Sequence, residues 1–204
     1  MQIPKDDIRK QVLQAAKGAF LAKGFKGVSM REIAEKSGVG LSNIYNYFQS
    51  KDELLATVLN PLVQAFNSVL ENHNSEGNIT IDVFTSADYQ SNLIRDFVTL
   101  IAPFRKELKL LLFASHGSSF ENFRESIIES NTQTGMQYMQ KMHERYPYIN
   151  TNISRFFIHI TTSWWVSVLE EIAAHDELSA ADIERFITEY VCFSTAGWKA
   201  VMKV

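Results

Sequence analysis

Cysteine, proline and glycine are all scarce in this chain of 204 residues. The sequence has one Cys, four Pro and nine Gly. A single Cys excludes a disulfide within the chain and a cysteine-based zinc cluster, and it favours a reducing compartment over secretion. Few Pro and Gly, together with 46% hydrophobic and 12% aromatic residues, exclude a disordered chain and predict a packed globular protein.

Long apolar runs are absent as well. The longest, Leu110 to Ala114, is far below the roughly 18 residues that are needed to cross a bilayer. The first ten residues, MQIPKDDIRK, contain no apolar stretch that is typical of a signal peptide. We therefore expect a cytoplasmic protein without a membrane partner.

Charge is nearly balanced over the whole chain but unevenly distributed along it. The total is 20 Lys and Arg against 23 Asp and Glu, a net charge of −3. Residues 1–55 carry nine basic and six acidic residues, a net charge of +3, whereas residues 56–204 carry 11 and 17, a net charge of −6. A positive lobe on an acidic body favours an anionic partner at one end, although ordinary surface variation gives the same totals.

Helical spacing of apolar residues dominates the sequence and predicts an all-α fold with about nine helices. The polar stretch from His73 to Ser91 contains an alternating Ile79, Ile81 and Val83, and we interpret it as a loop rather than a strand, because a lone strand has no partner. Pro103 and Pro147 mark expected helix breaks. The predicted helices after the first, which ends at Gly24, are 30–37, 40–47, 51–72, 88–102, 104–115, 119–145, 152–175 and 180–202.

Two short predicted helices near the N-terminus are joined by a tight turn at Gly38. Gly38 is suited to the left-handed conformation that lets the second helix cross the first. Ile33, Val39 and Ile44 supply an apolar contact between them. Such a pair, braced by a helix on each side, is a helix-turn-helix module that places its second helix in the major groove of DNA.

The segment from Phe20 to Leu55 resembles the N-terminal DNA-binding domain of the TetR family of bacterial transcriptional repressors. Its most specific parts are the pair Gly24 and Phe25 and the runs REIA from Arg31, SGV from Ser37, IYNYF from Ile44 and SKDEL from Ser50. The resemblance implies a helix-turn-helix DNA-binding domain over residues 1–50 and an effector-binding and dimerisation domain over residues 51–204. The helix of about 51–72 connects them.

The same resemblance implies that Gly40 to Tyr47 is the recognition helix. Asn43 and Asn46 have side chains that pair with adenine in bidentate fashion, Ser42 reaches base or phosphate, and Leu41 suits a thymine methyl group. No Arg or Lys lies between Ser37 and Lys51. We therefore expect readout of A·T pairs and of DNA shape rather than of guanine.

A second set of residues is expected to hold the DNA backbone. Tyr45 and Tyr47 offer hydroxyl groups to phosphates, and Lys51 adds its charge at the N-terminus of the following helix. Ser29 and Arg31 are expected on the other flank. Two alternatives stay open: Arg31 as a plain solvated residue, and Tyr45 packed in the core of the small domain.

The C-terminal part combines bulky apolar residues with a few polar groups, which favours a pocket for a small, mainly apolar effector. A solid helical core is the alternative. The candidate pocket residues are Phe104, Phe113, Tyr138, Met139, Met142, His159 and Ser163.

The last two predicted helices are apolar on more than one face. One face is enough for an intramolecular core, so the second predicts a homodimer in which two copies of the helix pair form a four-helix bundle. The candidate interface residues are Trp165, Leu169, Ile187 and Phe193.

These features predict a ligand-responsive transcriptional regulator, most simply a repressor that binds a palindromic operator as a dimer and is released by a small molecule. The alternative is a small-molecule-binding or transport-accessory protein whose helix-turn-helix no longer binds DNA. Catalysis has no support, because the five His show no metal-ligand spacing and no Walker loop, H-E-x-x-H or G-x-S-x-G motif occurs. We expect no cofactor and no metal.

Overall fold

The computed structural model describes residues 5–73 and 75–204, and within them it contains α-helices and no strand, so the predicted all-α class is confirmed. A single 3-10 turn, Glu76–Asn78, precedes the fifth helix. The helices are α1 (Lys5–Lys23), α2 (Met30–Ser37), α3 (Leu41–Ile44), α4 (Lys51–His73), α5 (Asp82–Thr85), α6 (Ala87–Phe113), α7 (Phe123–Arg145), α8 (Arg155–Ala174) and α9 (Ala180–Met202).

Side-chain caps determine where several helices begin. The Ser29 hydroxyl accepts a hydrogen bond from the Glu32 backbone N–H at 3.1 Å and starts α2. Ser179 and Asp182 form a reciprocal capping box at the start of α9. Each cap satisfies a backbone donor that has no partner inside its helix, which explains why both of these predicted starts are confirmed.

The expected break at Pro103 is wrong. One helix, α6, runs from Ala87 to Phe113 and includes this proline. Pro103 is exposed, while Ile101 and Leu108, seven residues apart on one helix face, are fully buried. Burial of a continuous apolar face outweighs the one backbone hydrogen bond that an interior proline removes.

The segment expected to be a loop after α4 is ordered by short helices. Ile79, Val83 and Phe84 are buried there, the last two on α5. They join a core cluster that includes Met142 and Met202. The described residues of this segment form no strand, but the expected loop is wrong, because the apolar side chains fold Asp82–Thr85 into a helix that packs into the core.

Packing divides the chain into two compact units. The first contains the described residues up to Gln64 together with 106–123, and the second contains 65–105 and 124–204. Both α4 and α6 therefore contribute one part to each unit. The division by function at residue 50 stays a prediction, since packing groups 51–64 and 106–123 with the first three helices. In the described part of the chain no helix is long and apolar enough to span a membrane.

Candidate functional site

The turn between α2 and α3 has the geometry that the sequence predicts. Gly38 lies in the left-handed region with φ of 68° and caps α2, donating its N–H to the Glu35 carbonyl. The α-helix that follows is shorter than the expected 40–47, because it covers Leu41–Ile44. Hydrogen-bonded turns continue beyond it: Tyr47 N–H donates to the Ile44 carbonyl at 2.9 Å and Phe48 N–H donates to the same oxygen at 3.0 Å.

The outward face of α3 and its last turns is polar. Ser42, Asn43 and Asn46 are exposed, whereas Ile44 and Phe48 on the opposite face are buried. The Asn46 side-chain amide donates to the Asn43 side-chain oxygen at 3.3 Å. The two amides therefore lie side by side, and their remaining donors and acceptors match the donor and acceptor pattern at the edge of adenine.

The other predicted residues of this helix surround the two amides. Gly40 is exposed and precedes α3, while Leu41 and Tyr47 are half-buried. Tyr45 is 48% exposed, so the alternative that it packs in the core is wrong.

Of the two basic residues on α2, Lys36 forms an ion pair and Arg31 does not, within the part of the chain that the structure describes. Glu32 binds the ammonium groups of Lys23 and Lys36 at 2.7 and 2.9 Å, and the hydrogen bonds from Lys23 and then Lys36 hold the pKa of that carboxyl below its usual value. Arg31 is exposed and forms no ion pair or hydrogen bond with another described residue. Ser29 is exposed beside it and caps α2.

Lys51 lies differently from its predicted place on the DNA backbone. Its Nζ donates to the carbonyls of Phe25 and Val28, both at 2.8 Å, and lies 4.1 Å from the centre of the Phe25 ring. Burial lowers the pKa of this ammonium. These two hydrogen bonds connect the start of α4, where Lys51 lies, to the loop between α1 and α2, which contains both carbonyls.

The second unit contains a cavity of about 810 Å³. Of the seven predicted effector residues, Tyr138 and Met139 line it. The other five do not. Met142 is fully buried in the core cluster, Phe104, His159 and Ser163 are half-buried outside the lining, and Phe113 is exposed and belongs to the first unit.

Sequence reasoning missed the face of α6 that lines this cavity. Asp88, Asn92 and Asp96 recur every four residues, and Tyr89, Leu93 and Phe97 form the adjacent stripe. Both stripes are visible in the sequence, where a row of Asp and Asn lies beside a row of aromatic and aliphatic residues at helical spacing. Trp165, which was expected at a dimer interface, also lines the cavity and packs on Phe97 with ring centres 4.4 Å apart.

An exposed apolar face covers parts of α8 and α9. Phe156, Ile160 and Trp164 follow one another at four-residue spacing on α8, and Phe193 on α9 is 66% exposed with its ring centre 5.6 Å from that of Trp164. Of the other predicted interface residues, Leu169 and Ile187 are wrong as surface contacts, because both are buried within the chain. Each of them packs on the intramolecular side of its helix.

Comparison with known proteins finds a family match within the first unit. Residues 12–58 match the family described as bacterial regulatory proteins, tetR family. An uncharacterized HTH-type transcriptional regulator, YfiR of Bacillus subtilis, is 25% identical over 103 residues, half of each chain. The HTH-type transcriptional activator FasR of Mycolicibacterium smegmatis is 40% identical over 58 residues, which cover 28% of this chain and 26% of that protein. The chain therefore matches half or less of the length of these relatives.

Similarity of fold extends further than similarity of sequence. The crystal structure of a TetR-like transcriptional regulator from Rhodococcus sp. RHA1 superimposes with a TM-score of 0.64 at 18% identity, covering 96% of this chain and all of that one. At this level of identity the likeness concerns the fold alone.

Proposed function

We propose that this chain, whose residues 12–58 belong to the tetR family of bacterial regulatory proteins, regulates transcription as a DNA-binding dimer in the cytoplasm. The observation that carries the proposal is the pair of exposed amides, Asn43 and Asn46, on the outward face of α3. That face follows a left-handed Gly38 turn, which directs the second helix of such a module toward the major groove.

The polar face supports readout of A·T pairs. Asn amides pair with adenine, and the half-buried Leu41 suits the methyl group of thymine. Arg31, Ser29 and the two tyrosines are proposed to contact phosphates, which positions the domain without choosing a sequence. Because no Arg or Lys lies on α3, DNA shape contributes the rest of the specificity.

The exposed face of α8 and α9 supports a homodimer. Isolated apolar residues are common on protein surfaces, but a contiguous patch of aromatic side chains marks an interaction site. A two-fold axis through this face pairs two copies of α8 and α9 and is proposed to place two recognition helices about 34 Å apart, one turn of DNA. The operator is then a palindrome or near-palindrome.

The cavity in the second unit supports control by a small molecule. Its volume of about 810 Å³ lies within the range of sites for drug-sized ligands.

We favour repression relieved by the effector, because a dimer bound to an operator blocks polymerase without any further contact. The relative FasR is named an activator, so the direction of regulation is a separate measurement: expression from the target promoter rises on deletion of a repressor and falls on deletion of an activator.

The test is a mobility-shift assay of the full chain with the DNA just upstream of its own gene, at two salt concentrations. We expect specific binding that weakens steeply as salt increases, because phosphate contacts release counterions. A fragment of the same length and base composition in scrambled order serves as the control. Equal affinity for both fragments would overturn the proposal.

One observation favours the alternative of a small-molecule-binding protein that no longer grips DNA. Lys23 and Lys36 are paired with Glu32, and Lys51 is turned toward backbone carbonyls, which leaves few free cations near α3 among the described residues. The same assay decides between the two readings, since this alternative predicts weak binding to both fragments at both salt concentrations.

A further inference from the structure

The cavity of the second unit carries negative charge on its wall, and the described residues that line it include no cationic side chain. Its lining contains two carboxylates, Asp88 and Asp96, and no Lys, Arg or His among the described residues. Neither carboxylate forms an ion pair with another described residue; Asp96 accepts one long hydrogen bond, 3.5 Å, from the Asn72 side chain. The nearby Arg95 is exposed outside the lining and donates to Asn92 at 2.7 Å.

The two carboxylates share one face of α6. They are eight residues apart, about 12 Å along the helix axis, and Asn92 lies midway between them. One wall of the cavity is therefore acidic along its length. The second unit as a whole has an excess of acidic residues, which adds to the negative potential.

Aromatic rings provide the rest of the chemistry. Phe97, Trp165 and Trp198 line the cavity together with Tyr138 and Tyr190. Burial raises the pKa of each of these two tyrosines to about 12, so their rings stay neutral phenols even in alkaline buffer. Neutral aromatic faces attract cations through the ring quadrupole and also accept the apolar body of a ligand.

We infer that the ligand of this cavity is an organic cation, an amine or quaternary ammonium group carried on an apolar or aromatic body. The charged group pairs with Asp88 or Asp96 while the body packs among the aromatic rings. The inference rests on the proposed function in that the ligand acts as effector, but binding itself is measured without DNA. It narrows the expected small, mainly apolar effector to one that carries a positive charge.

The test uses three phenyl-substituted probes of different charge, of which the cation and the anion share one shape, with the full chain in calorimetric titrations. The probes are tetraphenylphosphonium, the neutral triphenylphosphine oxide and the anion tetraphenylborate. We expect the cation to bind at least about ten times more tightly than the other two. Equal or tighter binding of the neutral or anionic probe, or no binding of any probe, would overturn the inference.

Substitutions locate the charge. Asp88→Asn and Asp96→Asn are each expected to weaken binding of the cation by about threefold and together by about tenfold, and to leave the neutral probe unaffected. Glu125→Gln is the matched control, because Glu125 is an exposed carboxylate in the first turn of α7, as Asp88 is in the first turn of α6. Unchanged binding of the cation to a folded double variant would contradict the assignment.

The outcome for the ligand is distinguishable from the outcome for DNA. If the double variant fails to fold by circular dichroism, the three-probe series on the unaltered chain decides alone. A chain that binds its upstream DNA but not the cation retains the proposed function and loses this ligand class. A chain that binds the cation but not its upstream DNA retains this ligand class and loses the proposed function.

Discussion

At the residue scale, the paired amides of α3 make the sharpest prediction. Asn43→Ala or Asn46→Ala should relax the choice of base at one position in each half-site, at a cost of about 1–3 kcal/mol per base pair read. Selection of bound sequences from a randomised operator measures the preference. Asn60→Ala, at an exposed position on α4, is the matched control and should change nothing. Intact base preference in both α3 variants would exclude the recognition assignment.

Lys51 leads to a different kind of prediction, because its ammonium is engaged within its own domain. Lys51→Met keeps an unbranched side chain but removes two charge-assisted hydrogen bonds and the ammonium that lies over the Phe25 ring. We expect the free energy of unfolding to fall by about 1–3 kcal/mol, measured by urea denaturation. Arg31→Met, at an exposed cation on α2, should leave stability unchanged and weaken binding to all DNA sequences alike. If Lys51→Met instead weakened DNA binding and left stability unchanged, while Arg31→Met lowered stability, Lys51 would be the phosphate contact.

These two cases show which site residues a sequence can reveal. The polar face of α3 was predictable because Ile44 and Phe48 mark the buried side of the same short helix. The partners of Lys51 were not, since Phe25 and Val28 lie 26 and 23 residues earlier in the chain. A hydrogen bond between residues this far apart in the sequence produces no periodic pattern from which it could be predicted.

At the scale of elements, Arg105 joins α6 to the end of α8. Its Nε donates to the Ile172 carbonyl at 2.9 Å and its Nη1 to the Leu178 carbonyl at 2.8 Å, whereas Nη2 is buried without a partner among the described residues. Arg105→Met removes both hydrogen bonds and also relieves the cost of burying Nη2. The net loss in free energy of unfolding should be about 1–3 kcal/mol by urea denaturation.

The control for Arg105 lies on the surface of α9. Arg185 pairs with Glu189 at 3.1 Å and its side chain is 82% exposed. Arg185→Met should cost no more than about 0.5 kcal/mol, because exposed ion pairs within a helix contribute little. Equal losses in the two variants would mean that the two carbonyl contacts of Arg105 do not hold α6 to α8.

Some helix boundaries depend on neighbouring residues alone, whereas others depend on packing against distant parts of the chain. Caps act over three residues, so the starts of α2 and α9 were predictable from Ser29 and Ser179. Whether a proline ends a helix depends on burial in the turns before and after it, which is decided by distant parts of the chain. The same sequence rule therefore succeeded at Pro147, which follows the end of α7, and failed at Pro103.

At the scale of the whole molecule, the exposed face of α8 and α9 predicts the oligomeric state. Phe193→Glu places a charge on that face beside Trp164 and should yield monomers in light scattering that bind operator poorly, because each monomer contacts one half-site. Tyr148→Glu is the control, since Tyr148 is 72% exposed but lies outside both helices. A Phe193→Glu protein that remains a dimer would place the interface elsewhere.

In the proposed function, effector binding in the second unit has to alter DNA binding by the first. Two helices, α4 and α6, contribute to both units, and each contains a proline within three residues of the point where it passes from one to the other. Pro61 cannot donate to the carbonyl of Thr57, so α4 continues through it with one hydrogen bond fewer and is softer there. A soft point in a shared helix is well placed to set how strongly the two units are coupled.

Pro61→Ala restores that hydrogen bond and should stiffen α4 without altering the DNA-binding face or the cavity. Because coupling between sites is typically about 1–3 kcal/mol, we expect the ratio of operator affinities with and without tetraphenylphosphonium, or with the natural effector once it is identified, to change several-fold. Gln64→Ala, at an exposed position on the same helix, is the matched control and should leave the ratio as it is. A Pro61→Ala dimer with an unchanged ratio would show that the proline is a static feature of α4 and that coupling between the units runs through other residues.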